Sequence, residues 1–220
     1  TIPAGGGQPR LLRGRARADG VARWRDLRFC TRLDPLPGEE LRAPQSGAEQ
    51  AGLPAYDASV RRIGPELARR MRSSHDPDRC PVPLGRLRHL TVSHVDFEGR
   101  ARTGEIVVHR DHAVDVVGVF RELYDAGFPI RRMRLVSAYG GDDGRSMAAD
   151  NTSGYNCRRV AGTRRWSRHA FGEAIDINPR ENPYVTGTGV QPPAGRRFAE
   201  VSRAPGADTA PGVVRRDDVV

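Results

Sequence analysis

Apolar residues first recur with a regular period shortly after residue 58. Positions three to four apart are apolar, which is the period of an amphipathic helix: Val60, Ile63, Leu67 and Met71. Pro65 lies inside this run, and proline lacks the backbone N–H that a helix interior requires. The pattern therefore predicts a helix over about 59–72, which Pro65 either kinks or begins anew.

Two strands follow. Leu90, Val92 and Val95, together with their β-branched neighbours, predict a strand over 87–97. Residues 104–108 predict the next strand, and the Glu-Gly-Arg sequence at 98–100 predicts the turn between them.

A second helix and a long polar segment come next. Residues 113–126 carry apolar side chains on one helical face, and Gly127 stands where a helix C-cap belongs. Residues 134–138 predict a short strand. The polar stretch over 139–157 has no clear period, and we expect such a long ordered loop to be functional.

The order of elements is helix, strands, helix, strand, loop and strand. Runs of mixed type without regular βαβ alternation favour an α+β domain with a small antiparallel sheet and flanking helices. Residues 1–55 instead mix Gly, Arg and Pro without a sustained apolar period, which predicts an arm or linker, with one short helix over 21–29. The chain is thus divided into an arm over 1–55 and one domain over 56–220.

The charge of the chain points to anionic surroundings. All 36 basic residues are arginine, against 27 acidic ones, and the formal net charge is +9. A nucleic-acid binder would gather its arginines on one element or interleave them with aromatic residues, but here they are scattered and aromatics make up only 6%. We therefore argue against nucleic acid as the partner. No apolar run approaches the length of a signal or membrane-spanning segment.

The three cysteines are Cys30, Cys80 and Cys157. They lie too far apart for a CxxC zinc knuckle. If the protein is exported, we expect Cys80 to pair with Cys157, because both lie in the predicted folded segment whereas Cys30 lies in the arm. The alternative is three buried thiols in a reducing cytoplasm.

One histidine and one aspartate form the candidate metal site. Residues 174–177 alternate as a half-buried strand does, so that Asp176 faces away from the two flanking isoleucines. If Gly172 lets the chain turn before this strand, His169 and Asp176 supply the N and O ligands that zinc accepts. The spacing alone is equally compatible with polar surface residues or a hydrogen-bonded pair.

The residues around His169 and Asp176 resemble a known sequence motif. Ser167, His169, Gly172, Ala174 and Asp176 form the pattern SxHxxGxAxD. This pattern is similar to the signature of zinc D-alanyl-D-alanine carboxypeptidases and the related L-alanyl-D-glutamate endopeptidases. The likeness extends to 151–158 upstream and 175–184 downstream and covers about residues 60–190.

The resemblance implies a hedgehog-type peptidase fold, a Zn²⁺ cofactor and peptidoglycan stem peptides as substrate. It implies that His169 and Asp176 bind the zinc together with a second histidine near the end of the domain, which a general-base carboxylate precedes. Arg158 lies in the segment that resembles the family's substrate-side loop, where a guanidinium can bind a peptide carboxylate. Ser167 is the other substrate-binding candidate. A secreted or cell-wall location follows from this reading.

The chain departs from the family pattern after the motif. No histidine follows His169, and no residue matches the general base, so the catalytic residue is unassigned. We expect that the missing ligand lies in a portion absent from this sequence. The alternatives are a non-catalytic cell-wall or protein-binding module on the same fold, or recruitment of an upstream histidine, namely His94, His109 or His112. A polyanion binder in which the motif is coincidental is the third hypothesis.

Overall fold

A computed structural model of the protein describes residues 52–187 and 189–215. In chain order its strands and α-helices are β1 (Ala58–Arg62), α1 (Pro65–Arg70), β2 (Leu87–Val95), β3 (Ala101–His109), α2 (Ala113–Asp125), α3 (Asp143–Ala148), β4 (Tyr184–Thr186) and β5 (Gly189–Gln191). Helices mixed with small antiparallel sheets confirm the α+β class. The predicted arm lies outside the described residues except for its last four positions, and its short helix lies wholly outside them.

The main sheet of the described residues is antiparallel in the order β1-β2-β3. The register places Leu90 opposite both Val60 and Ile106, so the apolar residues of all three strands share one face. Helix α2 covers this face with Val116, Phe120 and other buried residues. Because buried apolar area is the main stabilising term, this sheet–helix sandwich forms the principal core.

The predicted helix over 59–72 is wrong in its first half. Residues Ala58–Arg62 form strand β1, and Pro65 begins a new, shorter helix as its first residue. Proline is well suited to the first helical position because its missing N–H has no partner there anyway. Val60 belongs to a strand because residues of β2 pair with this segment. That pairing is a long-range contact, which the spacing of apolar residues along the chain does not reveal.

The elements between residues 87 and 127 are confirmed within a few residues. Strands β2 and β3 form a hairpin whose turn contains Gly99 with φ of 75°. Helix α2 ends at Asp125, and Gly127 follows in the left-handed conformation with φ of 66°. Only glycine adopts that conformation without steric cost, which is why it marks the helix end.

The two short strands predicted later in the chain are not formed as such. Residues Val136–Tyr139 form a 3-10 helix instead of a strand over 134–138. Arg134 lies two residues before this helix, and the side chain of Asn151 holds its backbone. The Asn151 side chain accepts from the N–H of Arg134 and donates to the carbonyl oxygen of Arg134. Over 174–177 the pairing is limited to one antiparallel bridge between Ser153 and Asp176. At 134–138 the backbone of Arg134 bonds to a side chain, and at 174–177 the backbone makes a single bridge. Neither segment therefore forms the continuous hydrogen bonding of a sheet.

Cys80 and Cys157 form a disulfide with a Cα–Cα distance of 5.8 Å. The predicted pair is thus confirmed, and the alternative of three free thiols is wrong for these two. Cys30 lies outside the described residues. The bridge connects the segment before β2 to the segment that carries the candidate site.

None of the helices in the described part of the chain has the length and apolar character needed to span a bilayer.

Candidate metal centre

His169 lies in a 3-10 helix, Arg168–Phe171, whose N-cap is Ser167. The Oγ of Ser167 accepts a hydrogen bond from the backbone N–H of His169 at 3.3 Å. The imidazole Nδ1 lies 2.6 Å from the carbonyl oxygen of Gly154. Since a carbonyl only accepts, Nδ1 donates, and the lone pair of the neutral ring is on Nε2. A carbonyl that orients a histidine in this way is typical of metal-ligating imidazoles.

Asp176 is fixed by backbone pairing. Its N–H donates to the carbonyl oxygen of Ser153, and the N–H of Ser153 donates back to Asp176, at 2.9 and 3.0 Å. The carboxylate Oδ2 then lies 3.3 Å from Nε2 of His169. The side chain of His169 is 7% exposed and that of Asp176 is 24% exposed, so the pair opens toward solvent on the aspartate side.

Gly172 makes this convergence sterically feasible. Its φ is 69°, the left-handed conformation that the sequence predicts for a turn at this position. A Cβ built there would lie 2.5 Å from the backbone nitrogen of His109, whose N–H donates to the carbonyl oxygen of Gly172. The expected turn before Asp176 is confirmed, and it packs directly on the end of β3.

The two side chains stabilise each other's charged forms. Burial alone lowers the pKa of His169, but the nearby Asp176 carboxylate outweighs this and raises it above its ordinary value. Burial likewise opposes ionisation of Asp176, yet the charge and hydrogen bond of His169 hold its pKa below the usual range.

The pair fits two positions of a zinc site. Two ligands at the usual Zn–N and Zn–O bond lengths and a tetrahedral angle are separated by about 3.4 Å, close to the observed Nε2–Oδ2 distance. The rest of the donor set is incomplete. No group of three His, Cys, Asp or Glu residues that could bind a metal occurs among residues 52–187 and 189–215. Recruitment of an upstream histidine, His94, His109 or His112, is therefore wrong for the described structure.

Arg158 lies beside this pair. Its positive charge lowers the pKa of both His169 and Asp176, which places the guanidinium within electrostatic reach of the site. The Nε atom lies 2.8 Å from Oδ1 of Asp143, and the Arg158 side chain remains 27% exposed. Asp143 therefore forms an ion pair with a partly exposed guanidinium that acts electrostatically on the His169–Asp176 pair. Its binding of a substrate carboxylate stays a prediction.

Other polar candidates have structural partners. The hydroxyl of Ser167 is buried and caps the 3-10 helix, so it orients the motif, and its contact with substrate stays a prediction. Asp142 caps α3 by accepting from the N–H of Arg145, and Glu173 binds Arg168. Both acidic side chains thus have structural contacts away from the His169–Asp176 pair.

Two contributors to the site are not evident from the sequence. The Gly154 carbonyl orients His169, and the Asp143 carboxylate holds Arg158. Neither residue has a distinctive spacing, and the only available signal is that both lie in the polar stretch over 139–157 that we expect to be functional. Every residue has a backbone carbonyl, so the side-chain pattern of the sequence cannot predict which carbonyl will orient His169.

Comparison with known proteins gives one family match in the segment that carries the candidate site. Residues 161–214 match the model of a family described as D-alanyl-D-alanine carboxypeptidase. The match covers less than half of the chain and includes both His169 and Asp176. No curated protein and no solved structure matches significantly. The family match supports a relationship to these peptidases and a role as a hydrolase.

Proposed function

We propose that the protein is a zinc-dependent peptidase that cleaves stem peptides of bacterial peptidoglycan, as a D-Ala-D-Ala carboxypeptidase or an endopeptidase. The observation that carries the proposal is the convergence of His169 Nε2 and Asp176 Oδ2 at 3.3 Å, inside the segment that matches the family. The hedgehog-type fold is part of the same proposal and is supported by the α+β architecture.

The residues present have defined roles in this proposal. A bound zinc ion supplies Lewis acidity toward a peptide carbonyl. His169 offers Nε2 as a ligand because Gly154 holds the proton on Nδ1, and Asp176 offers a carboxylate oxygen from a partly exposed position. Arg158, held by Asp143, binds a carboxylate of the peptide and thereby positions it.

The proposed location is the cell wall or its surroundings. Disulfides persist in oxidising compartments, and the Cys80–Cys157 bridge is compatible with export. A net charge of +9 favours residence on an anionic wall. Both features support the substrate class without defining the bond that is cut.

The experiment measures metal and activity separately. The full-length protein is assayed for bound zinc by mass spectrometry and for muropeptide cleavage with and without a chelator. We expect one zinc per chain, and we expect His169→Ala or Asp176→Ala to remove zinc and activity together. His112→Ala is the matched control and should retain both. Absence of both zinc and cleavage in the unmodified protein would contradict the proposal.

A second candidate is a non-catalytic cell-wall or protein-binding module on the same fold. It is favoured by the lack of a three-ligand group in the described part of the chain. It requires that the protein bind purified peptidoglycan while the same preparation releases no peptide products in the presence of added zinc. Product release under those conditions would eliminate it.

A further inference from the structure

An open cleft lies apart from the candidate metal centre. Its volume is about 870 Å³, and its walls are β2, β3, the hairpin turn and the segment 131–134. His169, Asp176 and Arg158 do not line it. Six arginines and three carboxylates do, so its lining has a net positive charge.

The three carboxylates of the cleft are already engaged. Asp96 accepts from the guanidinium groups of Arg100 and Arg102 at 3.0 and 2.8 Å, and it is nearly buried. Glu98 lies 2.9 Å from Arg100, and Glu105 lies between Arg70 and His89. Because Arg131 lies 3.9 Å from Glu98 and 3.6 Å from Asp150, the cleft arginines left without a carboxylate partner among the described residues are Arg132 and Arg134.

Arg132 and Arg134 are the uncompensated pair. Both side chains are exposed and alternate with the buried Met133. Neither guanidinium has an ion-pair or hydrogen-bond partner within residues 52–187 and 189–215, whereas the neighbouring Arg131 stacks on Phe97 at 3.8 Å. Both residues line the same cleft on either side of Met133.

The backbone that carries these arginines is rigidly held. The N–H of Arg131 donates to the Asn178 side chain, and the carbonyl oxygen of Arg132 accepts from the N–H of Thr152. The side chain of Asn151 makes two hydrogen bonds to the backbone of Arg134, each of 2.9 Å. Asn151, Thr152 and Asn178 are fully buried, so the segment is preorganised and little entropy is lost there when an anion binds.

We propose that this cleft is a binding surface for a phosphodiester polymer without bases, of the kind built from polyol phosphates. Guanidinium groups bind phosphate oxygens in bidentate fashion, and two neighbouring unpaired arginines on a held backbone suit a ligand that presents successive phosphates. The polymer holds the protein against an anionic wall while the candidate metal centre stays open.

A nucleic acid shares the phosphodiester chemistry but fits the cleft less well. Single-stranded binding requires aromatic platforms on which bases stack. No described residue lining the cleft is Phe, Tyr or Trp, the His94 ring there is buried, and the adjacent Phe97 ring is covered by Arg131. The preference for a wall polymer also rests on the proposed function.

The test compares two double variants that remove the same charge. Arg132→Gln/Arg134→Gln removes the exposed pair, and Arg79→Gln/Arg196→Gln removes two exposed arginines outside the cleft. Binding to purified poly(glycerol phosphate) is measured by calorimetry over a series of salt concentrations. We expect the first variant to bind at least tenfold more weakly and to lose about 1 from the salt slope per arginine, and the control to change less than twofold.

Three results would overturn the proposal. They are absence of polymer binding by the unmodified protein at low salt, equal weakening by both double variants, and tighter binding to single-stranded DNA of matched charge. Equal thermal unfolding midpoints for the variants establish that folding is intact. Neither zinc nor a peptide substrate is present, so the result is independent of whether the peptidase proposal holds.

Discussion

Nε2 of His169 lies 3.3 Å from Oδ2 of Asp176, although six residues separate the two in the chain. The 3-10 turn at Arg168–Phe171 and the left-handed Gly172 reverse the chain between them. The Gly154 carbonyl accepts from Nδ1 of His169, which leaves Nε2 as the ring nitrogen that faces the carboxylate. This separation is compatible with the two ligand positions of the proposed zinc site.

Gly154→Ala should lower the zinc affinity of the candidate metal centre although it replaces neither of the two candidate ligands. An added Cβ would lie 2.5 Å from the carbonyl oxygen of Val107, so the segment must shift and take its own carbonyl away from His169. We expect zinc affinity to fall about 10-fold to 100-fold, the usual cost of losing a partner that orients a ligand. Titration with a competing chelator measures it. Gly118→Ala, whose Cβ meets nothing within 4 Å, is the control and should leave zinc affinity unchanged.

Arg158→Gln should weaken substrate binding through the lost carboxylate contact. Because the planar guanidinium makes bidentate contacts, we expect kcat/KM for stem peptides with a free carboxylate to fall about 10-fold to 100-fold, mostly through KM. A peptide amidated at that carboxylate should show a small difference between variant and unmodified protein. Arg165→Gln removes a nearby exposed charge and should have little effect. Equal losses for both variants would assign the effect to general charge.

The Cys80–Cys157 bridge should contribute strongly to stability. It closes a loop with a sequence separation of 77 residues, for which chain entropy predicts a contribution of about 4 kcal/mol. We expect Cys80→Ser/Cys157→Ser to lower the free energy of unfolding by roughly that amount, measured with urea. Reductant should destabilise the unmodified protein and leave the double variant unchanged. A similar response of both to reductant would show that the bridge is not the cause.

Glu181 should make stability fall as pH rises toward neutrality. Burial and the adjacent Asp150 carboxylate raise its pKa from 4.5 to about 7, while Arg131 opposes the shift. A group whose pKa is raised on folding stabilises fully below its unfolded pKa, and that contribution is lost as pH rises through the folded value. We therefore expect the free energy of unfolding to decrease between pH 4.5 and 7 by at most about 1.4 kcal/mol per pH unit.

Urea unfolding of Glu181→Gln against the unmodified protein isolates this effect. The amide resembles the protonated acid, so the difference between the two proteins should change with pH across that window and then level off. A difference that is constant from pH 4.5 to 8 would show that Glu181 does not titrate there. Both carboxyl groups are nearly buried, which is why the charged form is costly.

Local pattern was a good guide where an element is determined by its own residues. The amphipathic face of α2 and the hairpin of β2 and β3 depend on short-range periods and on glycines with positive φ, and both are confirmed. It failed at Val60 and at 134–138, where partners distant in the chain decide the outcome. A strand needs a neighbour to satisfy its backbone groups, and sequence periods do not identify that neighbour.

The sequence by itself determined the family resemblance, the α+β class, the Cys80–Cys157 pair and the two candidate ligands His169 and Asp176. Only the tertiary structure decided which nitrogen of His169 faces Asp176, that Asp143 holds Arg158, and that Arg132 and Arg134 stand uncompensated beside a cleft. Residue type and spacing are read directly from the sequence, and they indicate which reactions or ligands a side chain is suited to. Orientation, tautomer and net local charge depend on contacts with backbone groups and side chains far away in the chain, and folding alone brings these together.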